Sequence, residues 1–308
     1  MSKTTQQPIV IAISGASGLI GSALAADLLG DGHRVLRMVR RPPQNRDEIQ
    51  WNPQTKQLDP AALSGVAAVV HLAGAGVGDR RWTAEYKREI MDSRVLGTQT
   101  VATAMAQSPD GPRVLVSGSA IGIYGDAGDA ELNEQAPVGK GFLADVVQQW
   151  EGATQAAAAA GVRVALARTG LVAAPNAGAF AKLLPTLRMG IGGPLGNGKQ
   201  YWSAISLRDE VRALRFLIEQ PLHGPVNLAA PAQATNAEYT HALASALRRP
   251  ALFPVPRLAL QLAVGQFAGE ILASQRVVPR VLLGAGFEFR DATVAAIVAE
   301  VMHPSSTS

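Results

Sequence analysis

The sequence predicts an α/β fold, a doubly wound parallel sheet followed by a small, mostly helical C-terminal substrate-side domain. Three observations carry this prediction. Short continuous apolar runs alternate with stretches of helical periodicity up to about Gly170. A glycine turn joins the first run to the first helix, and beyond Gly170 the alternation gives way to a tract crowded with proline and glycine.

Taken in order, Ile9 to Ile13 is an apolar run suited to a strand buried on both faces. From Ile20 to Leu29 the apolar residues recur at helical spacing, and Gly30-Asp31-Gly32 ends that helix. Val35 to Val39, Ala67 to Leu72 and Val114 to Val116 read as further strands, with a long helix from Thr83 to Gln107 before the last of them. An alanine-rich helix from Phe142 to Ala160 is closed by Gly161, and Val162 to Ala167 follows as a strand. Strands alternating with helices imply right-handed crossovers and a sheet of at least six strands. Pro175, Pro185, Gly190, Gly192-Gly193-Pro194, Gly196 and Gly198 then interrupt any regular element, as pocket-building loops do. Short helices near 208–219, 236–248 and 257–272 complete the chain. The expected division is a nucleotide-binding domain over 1–172, to which strands near 203–230 return, a substrate-side and C-terminal domain over 173–302, and a disordered tail over 303–308.

The chain has 308 residues, with 28 lysines and arginines against 24 aspartates and glutamates, and no cysteine. Its length suits one large or two modest domains with ample apolar sequence for a core. A net charge of +4, spread without basic runs, does not make a dedicated nucleic-acid binder. The lack of cysteine excludes disulfides and thiolate chemistry and fits a reducing compartment. Ile9 to Ile13 is too short for a signal core, and Leu258 to Leu272 is broken by Gln261, Gln266 and Glu270. A cytoplasmic protein with no membrane or nucleic-acid partner is therefore expected.

Ser14-Gly15-Ala16-Ser17-Gly18-Leu19-Ile20-Gly21 lies between the first strand and the first helix, where a dinucleotide pyrophosphate binds in a Rossmann-type domain. Gly15 permits the tight turn, Gly18 lets backbone N–H groups approach phosphate, and Gly21 lets the helix pack close to the strand. Ser17, Leu19 and Ile20 supply further backbone contacts. Where an enzyme selective for NAD carries an acidic residue after the second strand, this chain has Val39-Arg40-Arg41. A guanidinium cannot accept a hydrogen bond from a ribose hydroxyl but pairs well with a 2′-phosphate, so NADP is the expected cofactor. Arg41 reads more readily than Arg40 as an ordinary loop charge.

The motifs SGASGLIG, HLAG at 71–74, RRWTAEYKREIMDSR at 80–94, SGSAIGIYG at 117–125, RTG at 168–170 and GGPLGNGKQYWSAI at 192–205 occur in this order. Together they resemble the atypical extended short-chain dehydrogenase/reductases of the epimerase family, NAD-dependent epimerase/dehydratase-like. The segment 253–289 resembles that family's small C-terminal domain of unknown function. The resemblance implies that Leu72, Ala73 and Gly74 run beside the adenosine. It also implies that Arg94, in Arg94-Val95-Leu96-Gly97-Thr98, reaches a phosphate or ribose with Glu89 positioning it, and that Ser117 and Val172 join the cofactor contacts. Glu89 reads equally well as part of a surface ion-pair helix with Glu85, Lys87 and Arg88. The family's dimers allow a homodimer here.

Short-chain reductases ordinarily use Ser, Tyr and Lys, the last two as YxxxK on one helical face, where the ammonium lowers the tyrosine pKa. None of the four tyrosines has a lysine four residues later. Phe142 and Val146 stand where the resemblance puts the pair. Ser119 then remains as the residue that holds a substrate oxygen, and Tyr124 as the proton donor or as a packed loop tyrosine. The five histidines show no metal spacing and no HExxH occurs, so no metal is expected. The function expected is an NADP-binding oxidoreductase or epimerase-like enzyme for an unknown small molecule. The alternative is a catalytically degenerate NADP-binding regulator or scaffold. A nucleotide-sugar epimerase with tightly held NAD is a third reading, against which Arg40 argues.

Overall fold

The structure is a computed structural model that describes residues 7–304. In chain order the first elements are β1 (Val10–Ser14), α1 (Leu19–Gly30), β2 (Arg34–Val39), β3 (Glu48–Asn52), β4 (Gln57–Leu58), β5 (Ala68–His71), α2 (Ala84–Gln107) and β6 (Val114–Ala120). There follow β7 (Glu131–Leu132), α3 (Phe142–Gly152), α4 (Gln155–Ala159), β8 (Arg163–Thr169), β9 (Leu171–Ala173), α5 (Gly178–Arg188), β10 (Ala204–Ser206), α6 (Leu207–Glu219) and β11 (Gly224–Leu228). The last are α7 (Asn236–Ala246), α8 (Arg257–Val264), α9 (Ala268–Ile271), β12 (Arg276–Val277), α10 (Arg280–Gly284) and α11 (Val294–Met302).

Eight strands form the main sheet in the order β11-β8-β6-β5-β1-β2-β3-β4, and every neighbouring pair is parallel except β3 and β4. The order reverses at β1, which pairs on one side with β2 and on the other with β5. A crevice therefore opens beyond the C-terminal ends of β1 and β5, the place where this architecture binds ligands. Ile11, Ala12 and Ile13 are wholly buried because helices cover both faces of the sheet. One face packs Ile11, Ile13, Val116 and Ala165 against Leu24 of α1 and Leu214 of α6. The other packs Ala12, Val69 and Leu115 against Val101 of α2 and Ala157 of α4.

A second core gathers Phe180, Leu184, Trp202, Tyr239, Leu243 and Ile297 from the C-terminal half. The halves interleave. β11 joins the main sheet, β10 pairs with β9 in a separate ribbon, and β12 pairs with β7.

Two expected helices are broken. The helix expected over 142–160 divides at 153–154, where the Thr154 hydroxyl donates to the Glu151 carbonyl at 2.7 Å just past Gly152, a poor helix former. The helix expected over 257–272 breaks at Gly265, whose φ of +65° no helix accommodates. β3, the edge strand β4 and α5 were not among the expected elements, and α5 runs through Pro185 inside the tract expected to hold no regular element. Of the tail expected to be disordered over 303–308, His303 caps α11, and residues beyond 304 lie outside the described residues.

Candidate functional site

β1 ends at Ser14, whose hydroxyl links the two strands that flank the crevice. It accepts the N–H groups of Leu72 at 3.1 Å and Ala73 at 3.3 Å and lies 2.7 Å from Nδ1 of His71. Nε2 is buried without a partner, and burial pushes the imidazole down to about 4. This neutral cross-link holds the HLAG strand end against the glycine loop. Gly15, at φ +71°, has no room for a side chain, since a Cβ would stand 3.0 Å from the backbone of Leu72 and Ala73. A Cβ on Gly21 would collide with the Gly15 carbonyl. Gly18 caps α1 without a side-chain acceptor and no acidic residue occupies the first turn, so the N–H groups there remain open to an anion. Ser17 and Gly18 are exposed, and Leu19 and Ile20 half-buried.

Beyond β2 the two arginines diverge. Arg41 forms a double hydrogen bond to Glu48, at 2.6 and 2.7 Å, and this contact holds the Glu48 carboxyl down to about 2. Arg40 is exposed and has no ion pair among the described residues. The cradle, the open helix end and this unpaired cation together fit a dinucleotide carrying an extra phosphate.

The loop after β5 is clamped by α2. The Ala75 N–H donates to Ser93 Oγ at 3.0 Å, and the Ala75 carbonyl accepts from Arg94 Nη1 at 2.8 Å. Arg94 Nη1 also reaches the Ile90 carbonyl at 3.2 Å, and the guanidinium lies 5.1 Å over the Trp150 ring. Desolvation lowers Arg94 to about 10. Arg94 thus orients the loop carrying Leu72, Ala73 and Gly74, with Nη1 spent on backbone rather than on a phosphate. Glu89 does not position it. Five residues earlier at about 100° per residue, Glu89 lies well round the helix, where it pairs with Arg80 at 3.4 Å in the solvent.

The residues expected to be catalytic belong to a buried network. Ser119 Oγ donates to Glu151 at 2.6 Å, and Arg168 donates to both oxygens of the same carboxylate at 2.8 and 2.9 Å. Arg168 also donates to the Tyr124 hydroxyl at 3.0 Å, which in turn donates to Asn227 at 2.7 Å. Glu134 completes the set, accepting the N–H groups of Asn227 and Val281. Tyr124 is 2% exposed and burial raises its pKa, so its proton is committed inside the protein. Neither Ser119 nor Tyr124 presents a free hydroxyl to the crevice. Ser117 is wholly buried, with its hydroxyl turned to the Gly118 carbonyl, so it offers the cofactor no side-chain contact. Val172 is half-buried in β9.

The place of the missing pair is apolar. Val146 is buried with Trp82, Tyr86 and Ile90, and Phe142, Phe267 and Leu143 pack against them. Trp82 meets Phe142 edge-on at 4.9 Å and Phe267 at 5.3 Å, so α3, the loop before α2 and the turn after α8 converge here. Lys182 of α5 donates to the Gly78 carbonyl on the same rim. Lys87 was missed by the sequence reading: its Nζ stands 4.8 Å from the centre of the Phe142 ring and 5.5 Å from that of Trp82. Its spacing from Thr83, the N-cap of α2, was the available signal, but it reads as one charge on a charged helical face. The Glu151–Arg168 pair, from the WE dipeptide and RTG, was also missed. Among the described residues no group of three or more His, Asp or Glu side chains converges to hold a metal.

Residues 11–229 match the model of the NAD dependent epimerase/dehydratase family, and residues 255–301 match a domain of unknown function, DUF1731. The Mycobacterium leprae epimerase family protein ML0860 is 46% identical over 287 residues, covering 92% of this chain and 93% of its own. The crystal structure of human epimerase family protein SDR39U1 (isoform2) with NADPH is similar at a TM-score of 0.88 and 29% identity, covering 96% of this chain and all of that one. That of the nucleoside-diphosphate sugar epimerase from Corynebacterium glutamicum is similar at 0.77 and 33%, covering 96% of this chain and 58% of that one.

Proposed function

The chain belongs to the NAD dependent epimerase/dehydratase family, and on that premise we propose that it is an NADPH-binding oxidoreductase of the extended short-chain type that acts on a small carbonyl compound. The observation that carries the cofactor choice is the exposed Arg40 beyond β2, which has no ion pair among the described residues, while the neighbouring Arg41 is held by Glu48. The human relative crystallised with NADPH supports the same choice. Gly15, Gly18 and the first turn of α1 would hold the pyrophosphate, Arg40 the 2′-phosphate, and the Leu72–Gly74 backbone the adenosine side.

NADPH supplies a hydride when bound. The chain must then steady the charge that develops on the substrate oxygen and deliver a proton to it. With Phe142 and Val146 in place of Tyr and Lys, we assign that task to Lys87, whose ammonium faces the Phe142 ring. Lysine ammonium and tyrosine hydroxyl are acids of similar strength in water, so one can stand in for the other as hydrogen-bond donor to an oxyanion. Trp82 and Phe142 hold the ammonium through their ring faces and keep water from that side. Glu151 and Arg168 keep the β6 and α3 ends in register, acting as positioning residues.

The engagement of Ser119 and Tyr124 inside the protein favours a second reading, a binding protein that lost the chemistry. Turnover of NADPH against a panel of aldehydes and ketones separates the two. The enzyme reading expects saturable oxidation that Lys87→Met abolishes while NADPH binding persists, with Tyr124→Phe much less affected. Tight NADPH binding with no oxidation by any substrate would favour the regulator.

A further inference from the structure

Six large apolar side chains stand in solvent on the C-terminal lobe: Met189 (63% exposed), Ile191 (57%), Leu252 (71%), Phe253 (58%), Leu258 (66%) and Leu262 (71%). They lie on the turn after α5 and on the stretch that leads into and through α8. The turn after α5 and the segment before α8 run side by side, since the Val255 N–H donates to the Pro194 carbonyl and the Gly196 N–H to the Val255 carbonyl, both at 2.8 Å. A Cβ on Gly190 would meet the Pro250 ring. α8 follows directly, with Leu258 and Leu262 one turn apart on the outside and Leu260 buried beneath. A surface helix normally buries its apolar stripe, whereas α8 turns two of its three leucines outward.

The charged residues carried by these same segments are of one sign. Arg188, Arg248, Arg249 and Arg257 are all exposed, and none has an ion pair among the described residues. No aspartate or glutamate occurs from 152 to 208 or from 239 to 269, so the segments that build the face carry no anion. We propose that this face docks peripherally on an anionic lipid membrane. Apolar side chains rimmed by arginine are what an interfacial surface requires, the leucines and Phe253 entering the headgroup boundary and the guanidiniums meeting phosphate. A second copy related by a two-fold axis would instead set the four arginines against their own images. No helix among the described residues is long and apolar enough to cross a membrane, and a peripheral face needs none. The expectation of no membrane partner was drawn from the lack of a spanning segment and does not bear on this mode.

The test is co-sedimentation of the full-length protein with vesicles of phosphatidylcholine alone and of equal phosphatidylcholine and phosphatidylglycerol, with sedimentation velocity of the protein by itself. Binding to the mixed vesicles only, weakened by salt, is expected. Leu258→Asp/Leu262→Asp should abolish it, and Arg248→Ala/Arg249→Ala should weaken it roughly 25-fold, about five-fold for each arginine. An unchanged thermal midpoint certifies that each variant is folded, and Leu252→Ser/Phe253→Ser replaces the leucine pair if that variant unfolds. Failure to bind either vesicle, or equal binding to both, overturns the proposal. So does a dimer that Leu258→Asp/Leu262→Asp splits, in a protein that ignores vesicles.

Discussion

Glu151→Gln should destabilise the protein more than Ser119→Ala, the loss of the serine hydroxyl it contacts. The carboxylate accepts three hydrogen bonds, from Ser119 at 2.6 Å and from Arg168 at 2.8 and 2.9 Å. The two ionic side chains are only 12% and 8% exposed. Glutamine keeps the shape but sets an amide donor against a guanidinium donor and leaves the Arg168 charge unmatched in the interior. Breaking a buried pair in this way costs about 3–5 kcal/mol. For a chain of 308 residues, with an unfolding entropy of about 2.1 cal/mol/K per residue, that corresponds to a fall of roughly 5–8 °C in thermal midpoint. Ser119→Ala removes a single hydrogen bond to a charged acceptor, about 1.5–3 kcal/mol, and leaves the ion pair whole. Replacing both partners with Glu151→Leu/Arg168→Met should recover much of the loss, because the desolvation cost disappears along with the attraction. The assay is urea unfolding with thermal melts for the four proteins. A Glu151→Gln midpoint within about 1 kcal/mol of wild type, or a larger loss from Ser119→Ala, would refute the assignment of this network as a structural brace.

Two further outcomes follow from groups already described or equally buried. Glu210 of α6 is wholly buried, its Oε2 lacks a partner while Thr169 donates to Oε1, and burial raises its carboxyl to about 8. The folded chain therefore keeps a proton that the unfolded chain releases near 4.5, so this group lowers stability progressively as pH rises from 4.5 to about 8. Relative to wild type, Glu210→Gln should gain stability across that range and level off above it; a pH-independent difference in midpoint would count against the buried carboxyl. In the cradle, Arg40→Ala should weaken NADPH by about ten-fold or more and leave NADH unchanged, as loss of a charge-assisted phosphate contact requires. Arg41→Ala should spare that discrimination, and calorimetric titration of both nucleotides decides it.

The alternating pattern made the parallel sheet legible, because strands buried on both faces must be continuous apolar runs. Ile11, Ala12 and Ile13 advertise β1 without any structure. The cradle was equally legible, since only glycine tolerates the contacts at Gly15 and Gly21. The roles of polar residues were not. Ser119 and Tyr124 occupy motif positions that suggest chemistry, yet what decides their function is where Glu151, Arg168 and Asn227 bring their hydrogen-bonding groups, from elements as much as 103 residues away. No local pattern encodes such partners. Lys87 was hidden for the opposite reason, because its aromatic neighbours come from α3 and from its own helix start, and a helix read alone shows only a charged face.

The lacing of the two halves governs how the chain is made. Tyr124 and Glu134 emerge from the ribosome long before Asn227 and Val281, which satisfy them, and β7 waits for β12 to pair. The first half cannot complete its packing during synthesis and must persist with a buried network half made. Vectorial translation therefore delivers a nascent Rossmann core with unmet polar groups and an open sheet edge at β8 until β11 arrives. Chains truncated before about residue 282 should be clients for chaperones and proteases rather than smaller working domains, even though the boundary near 172 looks separable in the sequence.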